Sequence, residues 1–311
     1  MHSHAQTGVP AISENTLFDI ASLTKVFTAT AVLRCLGGGD LAEESRCGPV
    51  DLPLRENLPS VKDALRYGGG FPSAIRLSGV SPYRENPWLA AEQHRSEVLE
   101  RYIELAVSRQ QQDRAPVYND TSFIALGETG LPGGRSVLDE IEDLITSLHL
   151  TRTCFEPLRE HSVEEIVPTE LDDWRSVRCH GIVHDENAFL LRGRAGHAGL
   201  FSSAEDLLSL AGAWATNPRL LGLEPHQRDE ALRPISDSSF LIGWKSAIIG
   251  AHSGGQGLSK NAVGISGFTG TSLWIDFRRE QVIAILTNRV FFGRANRKIH
   301  GFRRWVNAQL T

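Results

Sequence analysis

Between residues 22 and 36 the apolar side chains fall on every side of a helical projection. Leu23, Val26, Phe27, Ala29, Ala31, Val32 and Leu33 leave no polar face. A helix apolar all round belongs in a core, not on a surface. Thr16 or Asp19 stands where an N-cap is wanted, and Gly37-Gly38-Gly39 supplies a stop. Residues 40–90, rich in Gly, Pro and Arg, read mostly as loop with one short helix around 60–67. Helical spacing returns at 90–110, 122–128, 136–148 and 204–215. The pattern then turns strand-like at 240–245, 271–277 and 282–287, the last two joined by a polar turn through Arg278, Arg279 and Glu280. A closing helix is expected over 293–309, with Ile299, Phe302, Trp305 and Val306 facing inward and arginines in solvent. This order predicts an α/β (α+β) fold, an antiparallel sheet with packed helices beside a helical subdomain. Residues 1–39 and 236–311 would form the sheet part and 40–235 the helical part of one compact unit.

Composition narrows the classes. The chain has 311 residues, 41% hydrophobic and 22% charged, which describes an ordered globular protein. A net charge of −5 argues against a nucleic-acid footprint or a general attraction to anionic membranes. No apolar run reaches the ~18–20 residues of a membrane span. The start, Met1-His2-Ser3-His4-Ala5-Gln6, lacks the basic and apolar regions of a secretory signal, so the chain as written is expected in the cytoplasm. Cys35, Cys47, Cys154 and Cys179 form no CxxC pair and read as free thiols. Cys179, His180, His184 and Asp185 lie close together, but nothing nearby completes a metal site, and no cofactor is expected. The glycine runs at 37–39 and 68–70 lack the Lys-Ser/Thr that follows a phosphate-cradling loop. No segment reads GxSxG.

The chemistry concentrates on Ser22 and Lys25. A serine three positions before a lysine places hydroxyl and amine on one helix face. Of the five lysines (Lys25, Lys62, Lys245, Lys260 and Lys298), only Lys25 has serine three residues earlier. A serine is a weak nucleophile until a base takes its proton, and a lysine can do so only while neutral. Burial and the positive end of a helix both push toward the neutral amine.

Two further stations follow in order: Tyr118-Asn119-Asp120, then Ile265-Ser266-Gly267. Together with Ser22-Leu23-Thr24-Lys25, they make the chain resemble the penicillin-binding-protein and serine β-lactamase superfamily, on its class C-like branch of esterases and D-aminopeptidases. Longer stretches resemble the family too: residues 16–25, Gly196-His197-Ala198-Gly199-Leu200-Phe201-Ser202, and residues 267–276. The resemblance implies a β-lactamase/transpeptidase-like fold and a serine hydrolase acting through an acyl-enzyme on a small ester or amide. It implies Ser22 as nucleophile, Lys25 as base or as part of a base shared with Tyr118, and Asp120 in support. The backbone N–H groups of Ser22 and Phe268 would form the oxyanion hole, with Ser266, Gly267 and Ile265 along the substrate. As a carboxylate, Asp120 also favours the charged form of Lys25, which shifts proton transfer toward Tyr118.

Three departures qualify this. Ile265 stands where the family has Lys or His, so anionic penicillins and cell-wall peptides are expected to bind poorly unless an arginine reaches in from elsewhere. Neutral esters then come first, with β-lactamase or D-Ala-D-Ala carboxypeptidase activity second and a non-catalytic relative as the other class. Only 21 residues precede Ser22, so the family's N-terminal strands are expected to be shortened, exposing a sheet edge. Arg66-Tyr67-Gly68-Gly69-Gly70-Phe71-Pro72 keeps the Gly and Pro of the family's loop but not its His-Thr-Ser, which points to altered substrate use.

Overall fold

The computed structural model describes residues 11–88, 94–113, 115–235, 238–247 and 257–310. A short strand, β1 (Phe18–Asp19), leads through one 3₁₀ turn (Ala21–Leu23) into α1 (Thr24–Gly38). Every side chain of α1 from Thr24 to Leu33 is buried, as its all-round apolar pattern predicts. Its polar members are satisfied internally. Thr28 donates to the Gly196 carbonyl at 2.6 Å, and the Trp214 indole donates to Thr30 Oγ1 at 3.1 Å. Gly39, at φ 82°, ends the helix in the left-handed conformation that glycine adopts without strain.

Around α1 follow α2 (Val61–Leu65), α3 (Arg95–Ser108), α4 (Thr121–Gly127), α5 (Val137–Ser147), α6 (Glu186–Leu190), α7 (Ala204–Thr216) and α8 (Pro225–Ala231). The predicted helix at 90–110 is present from Arg95; its expected start at Ala90 lies outside the described residues. Two-residue ladders join β2 (Gly130–Leu131) to β3 (Arg135–Ser136), β4 (Leu171–Asp172) to β5 (Val177–Arg178), and β1 to β6 (Phe201–Ser202). The larger sheet comprises β7 (Lys245–Ser246), β8 (Val263–Ser266), β9 (Ser272–Asp276) and β10 (Gln281–Ile285). Its order is β10-β9-β8-β7, antiparallel throughout. The α+β reading therefore holds. Among the described residues nothing pairs with the outer edge of β10, against which α7 packs.

Three local expectations are corrected. Neither Thr16 nor Asp19 caps α1: Asp19 sits in β1, and Ser22 lies in the 3₁₀ turn ahead of the helix. Residues 240–244 are not a strand, and only Lys245 belongs to one, β7. Gly243 takes φ 75°, Leu241 N–H bonds to the Trp244 carbonyl at 3.0 Å, and Phe240 folds back to bridge Lys245. A side chain at Gly243 would meet Ala29 of α1 at 2.7 Å, so the tight turn is what lets this segment reach the core. Finally, the closing helix α9 starts late (Ile299–Leu310) and buries Ile299, Arg303 and Asn307, while Phe302 and Trp305 are exposed. Arg303 goes inward because its guanidinium donates to the Gly267 and Thr271 carbonyls, at 3.2 and 2.6 Å.

Close approach fixes the sheet. Gly264 faces Trp274 across β8–β9, and a Cβ there would lie 2.2 Å from the indole. Gly264→Ala is expected to cost about 1–3 kcal/mol by overpacking, read as a lower urea midpoint at unchanged slope. An unshifted midpoint would show that the sheet is looser than this contact implies.

Candidate active site

The turn that carries Ser22 is held from below by a buried carboxylate. Asp19 accepts from the Ala21 N–H at 2.8 Å and, through its other oxygen, from the His184 N–H at 2.7 Å. Burial pushes the Asp19 carboxyl up, against the pull of His184 and Ala21. Ala21 itself sits at φ 47°, a conformation that costs a non-glycine residue about 1–3 kcal/mol and persists only where neighbours impose it. In a 3₁₀ turn side chains three apart eclipse one another. That is why the Ser22 hydroxyl and the Lys25 amine meet, at 3.2 Å.

Lys25 is fully buried, and its ammonium has three partners: Ser22 Oγ, Asp120 Oδ1 at 2.7 Å and the His197 carbonyl at 3.2 Å. Burial alone would push the amine down. The Asp120 carboxylate and the Tyr118 phenol more than offset it, and Lys25 is held above its ordinary value. The neutral amine expected from burial is therefore not the resting state; the carboxylate decides the balance.

Tyr118, on the segment entering α4, lies in an aromatic clamp. Tyr67 and Phe240 flank its ring at 5.2 and 6.2 Å between centroids. Tyr67 comes from the glycine-rich loop that departs from the family pattern, and Phe240 from the folded turn before β7. Two amines lie over the same ring, Lys25 at 5.0 Å and Lys245 at 3.8 Å. Burial, then repulsion from Lys25, pulls the Lys245 amine down to about 8, with Asp120 opposing.

The Phe268 turn is tied to the Ser22 turn by two hydroxyls. Thr269 donates to the Asp19 carbonyl at 2.7 Å and Thr271 to the Ile20 carbonyl at 3.2 Å. Gly267 permits this approach, since a Cβ there would lie 2.6 Å from the Ile20 oxygen. Among the described residues, no acceptor engages the N–H of Ser22 or of Phe268. The Phe268 ring stacks on His184 at 5.5 Å and lies under the Arg289 guanidinium at 4.3 Å. His184 in turn pairs with Glu170 at 2.7 Å, and His197 with Asp185 at 2.8 Å. Among the described residues there is no group of three or more metal-ligating side chains.

Ser22, Tyr118 and Phe268 line two cavities. One, of about 270 Å³, also takes in Asp120, Asp185 and His197. The other, of about 420 Å³, takes in Lys245, Ser266 and Gly267. Ile265 lines neither. It is buried in the main hydrophobic core opposite Leu273, because strand alternation sends it to the face away from Ser266. A larger cavity of about 590 Å³, walled by Leu158, Ile182 and Phe189, does not include Ser22. The spacing of Ser22 and Lys25, the tyrosine station and the Ser-Gly before a strand were legible in the sequence. Lys245, Tyr67 and Phe240 were not, because no motif marks them. A Gly-Trp-Lys after an apolar run was the one hint of a turn. Asp120→Ala is expected to strand the Lys25 ammonium at a cost of about 3 kcal/mol, at the low end for a broken buried pair because Asp120 is partly exposed. The double variant Lys25→Met, Asp120→Ala should recover most of that loss in denaturant melts. Equal instability of single and double variants would contradict the pairing.

Comparison with known proteins identifies the family and the fold. A family model described as Beta-lactamase matches residues 2–303. An N-acetylmuramyl-L-alanine amidase from Bacillus subtilis (strain 168) is 27% identical over 88% of this chain and 68% of its own. A penicillin binding protein from Bacillus halodurans superposes with a TM-score of 0.64 at 16% identity, over 98% of this chain and 90% of that one. An octameric penicillin-binding protein homologue from Pyrococcus abyssi gives a TM-score of 0.64 at 18% identity, over 89% and 63% of the two chains. No described helix is long and apolar enough to cross a membrane. With the family model spanning nearly its whole length, this chain belongs to the β-lactamase family of serine hydrolases.

Proposed function

We propose that this chain is a hydrolase of the Ser-x-x-Lys type that opens small esters or amides through an acyl-enzyme on Ser22. The observation that carries the reading is the contact between Lys25 Nζ and Ser22 Oγ, at 3.2 Å, at a cavity shared with Tyr118 and Phe268. The amide chemistry named for the Bacillus subtilis relative is of the same kind.

The charges favour one division of roles. Lys25 is already protonated at rest, so it holds the Ser22 oxygen by donating to it and offsets negative charge there. As the phenolate beside that ammonium, Tyr118 takes the Ser22 proton while Oγ bonds to the carbonyl carbon. It returns that proton to the departing alcohol or amine as the C–O or C–N bond breaks. A water molecule then repeats the steps, releasing the acid and restoring Ser22. Negative charge on the carbonyl oxygen meets the Ser22 and Phe268 N–H groups; losing one such donor costs about 2.7–4 kcal/mol of barrier.

A fluorophosphonate probe should label the protein at Ser22, and labelling should vanish in Ser22→Ala. Tyr118→Phe is expected to lower kcat/KM on an aryl ester by about 10²–10⁴. Well-folded wild-type protein that takes no label would overturn the enzymatic reading and favour a non-catalytic relative.

A further inference from the structure

Two stretches outside the three motif stations, residues 169–170 and 183–187, meet behind Phe268, and His184 stands at their junction. Its backbone N–H donates to Asp19 Oδ2 at 2.7 Å, while Asp19 Oδ1 accepts from the Ala21 N–H beneath Ser22. Its ring stacks on Phe268, with 5.5 Å between centroids and 28° between planes. His184 therefore reaches the Ser22 turn through its backbone and the Phe268 turn through its side chain.

His184 is itself firmly held. Glu170 Oε2 lies 2.7 Å from its Nε2. Burial would raise the Glu170 carboxyl, but the bonds from His184 and then Arg294 pull it down to about 2. A carboxylate only accepts, so Nε2 carries the hydrogen in that bond. Arg175, buried and paired with Asp172, donates to the Val183 and His184 carbonyls, each at 2.7 Å. The Phe268 side chain, by contrast, is 43% exposed. Arg289 covers its other face at 4.3 Å and donates to the Phe268 carbonyl at 2.6 Å.

An oxyanion donor works only within about 2.7–3.1 Å of the oxygen that becomes charged. The Ser22 and Phe268 N–H groups belong to separate turns, so a contact common to both has to set their spacing. Thr269 and Thr271 tie the chain after Phe268 to the Ser22 side. The clamp on the ring sets the tilt of Phe268 itself. We propose that His184 is a positioning residue: by its stack on Phe268 and its bond to Asp19, it sets the spacing of the two oxyanion donors. The inference rests on the serine-hydrolase reading above. Its effect falls on charge that develops in the transition state, so kcat carries it and KM does not.

The test compares phenyl acetate with its thiono analogue, O-phenyl ethanethioate, in which sulfur replaces the carbonyl oxygen. Sulfur is larger and a weaker acceptor, so the ratio of kcat/KM, oxygen over sulfur, reads how well the donors are aimed. Loss of folded protein lowers both rates alike and leaves that ratio in place. His184→Ala should lower kcat on phenyl acetate by about tenfold or more at nearly unchanged KM, and should shrink the ratio. Phe268→Ala keeps the N–H but loses the ring, and should shrink the ratio likewise. Because both act through one clamp, the double variant should lose no more than the worse single variant. A ratio within twofold of wild type in folded His184→Ala would overturn the proposal, and so would losses that multiply in the double variant. If His184→Ala does not fold, the half-exposed Phe268→Ala decides, and an unchanged ratio there is equally fatal. Wild type that turns over both esters without preferring oxygen would overturn this inference alone. Wild type that turns over neither would remove the enzymatic reading and this inference with it.

Discussion

One buried ammonium sets the terms for the rest of this molecule. Lys25 sits in the first turn of α1 with no solvent to stabilise its charge, so its surroundings must do so. Asp120, the His197 carbonyl and Ser22 Oγ together complete that shell. The three partners come from three separate parts of the chain. The N-terminal turn, the segment entering α4 and the small-residue stretch at 196–199 must therefore converge before the charge is tolerable. Folding and assembly of the site are thus one requirement. A buried ion pair adds little net stability, yet removing one member is costly, so the pair constrains arrangement more than it adds free energy.

The same economy ties the Ser22 turn to the Phe268 turn. Asp19 receives two N–H groups beneath Ser22, and its backbone carbonyl receives the Thr269 hydroxyl beside Phe268. One residue thus fixes both turns, and the unusual φ of Ala21 is held by this bracing. His184 and Arg289 then sandwich the Phe268 ring, while Glu170 holds His184 and Arg294. Of the ligand-type residues that lie close in the sequence (Cys179, His180, His184 and Asp185), His184 instead braces the Phe268 turn.

Much of this was legible in advance where periodicity and motif agreed. The all-round apolar pattern of α1 placed Ser22 and Lys25 at the centre, and the strand-turn-strand at 272–285 was plain from its alternation and its Arg-Arg-Glu turn. What could not be read depended on tertiary contacts. The run 240–245 looked like one strand because apolar residues surround Gly243; only the approach of α1 forces that glycine into a turn ahead of β7. Arg303 looked like a solvent-facing charge because nothing in the sequence reveals the open carbonyls of Gly267 and Thr271. Lys245 carries no motif, and its place over Tyr118 follows from that same unforeseen turn.

The proposed roles depend on the protonation state of Lys25, since a charged resting amine would pass the base role to Tyr118. With five lysines in the chain, ¹³C NMR of labelled lysine side chains can follow each amine through a pH titration. Lys25 is expected to remain charged past about 10.4, where unperturbed lysines lose their proton. A Lys25 signal that titrates between pH 7 and 9, confirmed by its loss in Lys25→Met, would contradict the account and return the base role to the amine.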